Sequence, residues 1–265
     1  MSDFTALELR PVYTVLLPLA ASLLIFTAGR AVKYLSEIFS VITASLTALS
    51  TISMLSAVLA GKEIDSLLIT MTSDMGMTLG LDSMGMFFAA FISVLWVITT
   101  FWSLGVTSGR GRIYSSLLYG SASLSVAGIY GMCFARDLIS LFVSLLIVMV
   151  SGYPAVICDK ENIRPKFLPR FSVFVIAAAG LYAASMYMII HAAGNANFRA
   201  GGFIEPEMLT GGKELAAFLM MTAAGLLCSG MVTFHRLIPE LMRLKTPGAI
   251  TMHSLSVFRA MIFFQ

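Results

Sequence analysis

Eight long apolar runs divide this 265-residue chain, and nothing constrains its fold more. They cover residues 11–28, 34–60, 84–104, 113–135, 138–158, 171–193, 214–234 and 249–264. A hydrocarbon core of about 30 Å takes roughly 20 helical residues, so each run is of the order needed to cross a membrane. Inside lipid the backbone must satisfy its own hydrogen bonds, which leaves helices and closed barrels. Barrel strands would alternate apolar and polar residues, whereas these runs are apolar on all sides. The prediction is an all-α membrane protein of about eight transmembrane helices, one transmembrane domain over 1–265 with no soluble domain. A hydrophobic content of 58%, a charged content of 12% and a mean hydropathy of +0.90 agree that the solvent is lipid.

The placement of charge says more than the net +3. Loops that follow the odd-numbered runs carry 11 Lys and Arg, among them Arg30, Arg110, Arg112, Lys160, Arg164 and Lys166. The other side carries 5: Arg10, Lys62, Arg136, Arg199 and Lys213. The positive-inside rule then puts the N-terminus outside, periplasmic or external, and the basic loops in the cytoplasm, as in a multi-pass protein of the cell inner membrane. Asp3 and Glu8 stand where a cleavable signal would be basic, so the first run is expected to stay as a span. Nucleic acid is not implied.

Between the second and third runs, GKEIDSLLITMTSDMGMTLGLDS is too polar and too broken by glycine to cross a membrane. It is expected to form an outside hairpin with Gly76 or Gly80 near the turn. Pro165 and Pro169 stop a helix from running through the charged loop DKENIRPKFLPR. No loop is long enough for a nucleotide fold and no phosphate-binding glycine loop is present, so no cofactor is expected and any redox chemistry would belong to a partner. Cys133, Cys158 and Cys228 lie in or at the ends of apolar runs without CxxC spacing. They read as inert buried thiols rather than a disulfide framework or a metal site.

Polar residues near the end of the chain interrupt this pattern: His235, Pro239, Pro247, His253 and Arg259, in FHRLIPELMRLKTPGAITMHSLSVFRA. Ionisable groups at membrane depth are costly and usually line a proton or ion path. The spacing, His-x3-Pro, then Pro eight later, His six later and a basic residue six later, resembles the proton-pumping membrane subunits shared by NADH:quinone oxidoreductase, membrane-bound hydrogenases and Mrp-type cation/proton antiporters. The antiporter D-type subunit is the best match. Two further stretches are similar to that family: LGLDSMGMFFAAFISVLWVITTFWSLG, with Asp82 and Gly85, and FARDLISLFVSLLIVMVSGYPAVI, with Asp137-Leu138, Leu141-Phe142 and Tyr153-Pro154.

The resemblance implies the N-terminal half of a fold of about fourteen helices built from two inverted repeats, each with a half-channel. It also implies a membrane subunit of a multi-subunit Na⁺/H⁺ antiporter, not an enzyme by itself, with other membrane subunits as partners. Two alternatives stay open: a proton-pumping subunit of an oxidoreductase or hydrogenase complex, and a non-transporting structural subunit or truncated remnant. The family works its first half-channel with a buried glutamate against a buried lysine, which hold each other ionised. On this chain those positions fall at Leu146 and Cys228, and neither side chain can replace them. His235, His253 and Arg259 remain as proton-path candidates. His253 titrates near neutral pH and suits a relay; Arg259, roughly 9 Å further along a helix, holds its proton and would set the local field.

Each of these residues also has a structural reading. His235 suits a helix end, His253 a hydrogen-bonded packing position, and Arg259 a side chain that snorkels to the interface. His191 reads as interfacial, Glu37 as a headgroup-level partner of Lys33, and Pro239 and Pro247 as shaping a turn. Small residues at Gly120, Gly128, Gly131 and Ala177 to Gly180 suggest close helix contacts and partner helices.

Overall fold

The computed structural model describes residues 9–32, 34–61, 64–72, 75–157, 167–193, 197–198 and 212–229. His235, His253 and Arg259, the eighth apolar run and the Lys33 partner expected for Glu37 lie outside them. Among the described residues the chain folds into α1 (Arg10–Ala28), α2 (Leu35–Leu59), β1 (Ile64–Thr72), β2 (Met75–Leu81), α3 (Ser83–Thr107), α4 (Arg112–Cys133), α5 (Leu138–Ile157), α6 (Phe167–Ala193) and α7 (Lys213–Ser229). Of these seven helices α1, α2, α3, α5 and α6 are long and apolar enough to cross a membrane.

The helix starts follow local chemistry. Proline stands in the first turn of α1, where its missing N–H costs nothing. The Asp82 carboxylate accepts the Gly85 N–H at 2.8 Å and so caps α3. Glu37 sits in the first turn of α2, the end of a helix that favours negative charge.

α4 is the centre of the bundle. Sixteen of its 22 residues are buried, against six of 19 in α1. It packs most extensively on α5, then on α1, and it also touches α2 and α3. Glycine makes the approach possible: a Cβ on Gly128 would meet Val148 and the Ser144 carbonyl of α5, and one on Gly120 would meet the Phe26 ring of α1. α6 packs on α5 and, more broadly, on α7.

β1 and β2 pair antiparallel from Ile64↔Leu81 to Thr72↔Met75, with two register shifts. The expected hairpin forms: Gly76, the second residue of β2, stands opposite Thr70 close to where the strands meet, while Gly80 lies further along β2, opposite Asp65. Isolated bridges Leu79↔Ala135 and Asp137↔Asn197 extend this small sheet across the α4–α5 junction. The hairpin therefore marks one end of the bundle. Arg30, Arg110 and Arg112 mark the opposite, basic end, where α1 and α3 finish and α2 and α4 begin.

Candidate functional site

Two acidic residues of the resembling stretches turn out to hold the hairpin end together. Asp137 is 0% exposed, and its carboxylate accepts four hydrogen bonds. These come from the Thr78 N–H at 2.7 Å, the Thr78 hydroxyl at 2.9 Å, the Ser140 N–H at 2.6 Å and the Ser140 hydroxyl at 2.7 Å. The side chain thus caps α5 and fastens β2 to it, the sort of full satisfaction a buried carboxylate needs. Backbone bonds from Arg136 N–H to the Thr78 carbonyl (3.1 Å) and from Gly80 N–H to the Phe134 carbonyl (2.7 Å) continue the fastening. Gly85 lets α3 begin against the end of α4, since a Cβ there would collide with the Cys133 carbonyl and the Asp82 carboxylate.

Deeper in the bundle, α5, α6 and α7 form the region in which the resemblance places its half-channel. Leu145 is fully buried in α5, and Leu146, at the glutamate position, is half-buried. Ser144 is buried against Gly131 of α4. The polar contacts here are hydroxyl contacts: Ser151 pairs with Ser125 of α4 at 2.5 Å, and the Tyr153 hydroxyl donates to Ser172 of α6 at 3.1 Å. Phe142 stacks on Tyr182 at 5.3 Å, and the Tyr182 hydroxyl donates to the Leu138 carbonyl at 3.4 Å, joining α5 to α6. Ser185 donates to the Ala217 carbonyl at 3.0 Å, joining α6 to α7.

Cys228 occupies the last turn of α7, and its side chain is outside the description. His191 is exposed in the last turn of α6, 5.9 Å from the Tyr187 ring. Among the described residues no three His, Cys, Asp or Glu side chains gather as they would around a metal ion.

A second polar feature, absent from the sequence reading, lies between α2, α3 and α4. The Tyr130 hydroxyl shares a hydrogen bond with Ser93 at 2.7 Å. The Tyr119 hydroxyl bonds Thr107 at 2.9 Å and accepts from Ser103 at 3.2 Å. The signal was available as a stripe of Ser and Thr at helical spacing on α2: Ser36, Ser40, Thr43, Thr47 and Thr51, all buried.

No protein-family model matches the chain, and no curated protein does. Solved structures do. Over 94% of this chain the fold matches a subunit of an archaeal respiratory membrane complex, the membrane-bound sulfane sulfur reductase, with a TM-score of 0.81 at 17% identity. Over 98% it matches a subunit of the Mrp complex of a Dietzia species, with a TM-score of 0.74 at 13% identity. The chain has the fold of these two complex subunits. It spans about half the length of the chains it matches, 51% of the first and 49% of the second. A chain with this fold and several membrane-length apolar helices is a multi-pass membrane protein. Both neighbours are parts of multi-subunit membrane complexes.

Proposed function

We propose that this chain is a proton-translocating membrane subunit of a multi-subunit monovalent cation/proton antiporter, with Na⁺ as the exchanged cation. The observation that carries the reading is the fold match over nearly the whole chain to membrane subunits of an Mrp complex and of a respiratory complex. Charge placement supports an N-terminus outside and basic loops in the cytoplasm, in the inner membrane. In this reading His253 relays protons, Arg259 sets the field around it and His235 stands at the cytoplasmic end of the path. Leu146 and Cys228 remove the usual carboxylate and ammonium, so water and hydroxyl groups have to take a larger part.

A second reading, a proton-pumping subunit of a respiratory complex, is favoured by the higher TM-score of the sulfane sulfur reductase match. One experiment addresses both. The native complex is affinity-purified through this chain, its subunits are identified and it is reconstituted into vesicles with a pH-sensitive dye. Cation-dependent dissipation of an imposed pH gradient, with small membrane subunits co-purifying, is the expected result. Co-purifying iron–sulfur subunits, with gradient formation only on addition of an electron donor, would favour the second reading. A complex that leaves the gradient untouched in both settings overturns proton translocation.

A further inference from the structure

Three helices of this bundle turn stripes of hydroxyl-bearing residues, with one tryptophan among them, towards one another. On α2 the stripe is Ser36, Ser40, Thr43, Thr47 and Thr51; on α3 it is Ser93, Trp96, Thr100, Ser103 and Thr107; on α4 it is Tyr119, Ser123 and Tyr130. Within each helix these positions are three, four or seven residues apart and so share a face. All of them are buried. The three helices pack on one another.

Contacts at the two ends fix the register. Towards the hairpin, Tyr130 meets Ser93 of α3, with Thr47 and Thr51 of α2 beside it. Towards the basic end, Tyr119 meets Ser103 and Thr107 of α3, and Glu37 of α2 is near enough to act on it. Hence α2 and α4 run parallel and α3 antiparallel to them. The two tyrosines are about 16 Å apart along α4, half the thickness of a hydrocarbon core.

Between these ends lie groups that protein atoms do not satisfy. The Ser40 and Ser123 hydroxyls and the Trp96 indole N–H have no hydrogen-bonding partner among the described residues. Ser40 and Ser123 are 0% exposed and Trp96 is 4% exposed. Ser40 lies seven residues before Thr47, and Ser123 seven before Tyr130, so the two serines share a level about two turns in from the hairpin end. Burying even one such group dry is costly, whereas ordered water satisfies it.

The basic end of the seam is open. A cavity of about 530 Å³ is lined there by Ser36, Glu37, Thr107, Arg110, Arg112 and Ser115 among others. Thr107 belongs both to this cavity and to the Tyr119 cluster, so the vestibule meets the seam directly.

We propose that the α2–α3–α4 seam is a water-filled proton path, entered from the vestibule at Glu37 and running through Tyr119 and the Ser40–Ser123 level to Tyr130. It is distinct from the α5–α7 region and rests on the proton-translocating reading above. Each hydroxyl or water accepts a proton on a lone pair and releases the one it held, so no group along the seam has to keep a charge. Threonine hydroxyls that donate to their own helix, such as Thr47 to the Thr43 carbonyl at 2.8 Å, still have lone pairs to offer the next member.

The test uses the assembled complex in lipid. Hydroxyl radicals generated from bound water by X-ray pulses label side chains that touch that water. Trp96 and Tyr119 are expected to label several-fold faster than Tyr182, which is equally buried but lies between α5 and α6. In vesicles, Tyr119→Phe is expected to lower proton flux roughly tenfold and Ser123→Ala to lower it less, with Thr27→Ala on the outward face of α1 as control. If Trp96 and Tyr119 label no faster than Tyr182, the seam is dry and the inference falls. If they label fast but Tyr119→Phe matches an active wild type, the seam holds water without conducting, and the path falls. A wild-type complex that moves no protons overturns the transport reading and the path with it, while the labelling still decides the water.

Discussion

Asp137 joins three pieces of backbone, two of them through its side chain. Its four hydrogen bonds reach β2 and the first turn of α5, and its own backbone bridges to Asn197. Replacing it with alanine removes the α5 cap and leaves the Thr78 and Ser140 donors buried without an acceptor. Hydrogen bonds to a charged group contribute about 1.5–3 kcal/mol each, though not additively. Asp137→Ala is therefore expected to destabilise the chain by about 3 kcal/mol, read as a lowered thermal midpoint in detergent, with Asp137→Asn in between. A midpoint equal to wild type would show that the hairpin is held by its backbone bonds alone. The sequence marked Asp82 and Asp137 as features of a resemblance; what it could not show is their work. An Asp at a helix start is a visible cap signal, but the partner of Asp137, Thr78, lies 59 residues away, and no local pattern points to it.

The helices were legible because length and apolarity are local properties. Their faces were not. Averaging over a run hides which side carries the hydroxyls, so the α2, α3 and α4 stripes went unread while glycines such as Gly128 stood out. α4 shows the difference most clearly: it is less apolar than its neighbours because Ser and Gly fill it, and it is the most buried helix because those small residues let other helices close around it. The α4–α5 contact includes Ser125 and Ser151 at 2.5 Å, both buried. Such bonds within membranes average about 0.6 kcal/mol and reach about 1.7. A double-mutant cycle with Ser125→Ala and Ser151→Ala, followed by unfolding in bicelles, is expected to return a coupling within that range. A coupling of zero would mean that α4 and α5 are held by glycine-mediated packing alone.

At the scale of the whole molecule, the two tryptophans report opposite surroundings. Trp96 is 4% exposed inside the bundle, while Trp102, six residues along the same helix and so on another face, is 43% exposed. In bilayers with brominated acyl chains, Trp102 fluorescence is expected to be quenched and Trp96 fluorescence spared. A Trp96→Phe variant should keep nearly all the quenching and a Trp102→Phe variant should lose it. Equal quenching of both would contradict the packing of α3 on α2 and α4. Large apolar residues such as Ile176, Tyr187 and Phe218 are likewise exposed, as expected of surfaces that face lipid or neighbouring subunits. Hydropathy averaged along a run has no direction, so this division between inside and outside was not legible before the helices were packed.

The composition of α4 also bears on how the chain enters a membrane. A segment that leaves water according to its own apolarity would gain less here than any of the five helices that meet the membrane-spanning criterion. Its tyrosines find partners on α3 and Ser125 finds one on α5, and α5 supplies the largest share of the surface that α4 packs against. Stable insertion of α4 is therefore expected to be completed only when α5 is also present. A chain halted after Cys133 would hold this helix poorly, and one extended through Ile157 would hold it well.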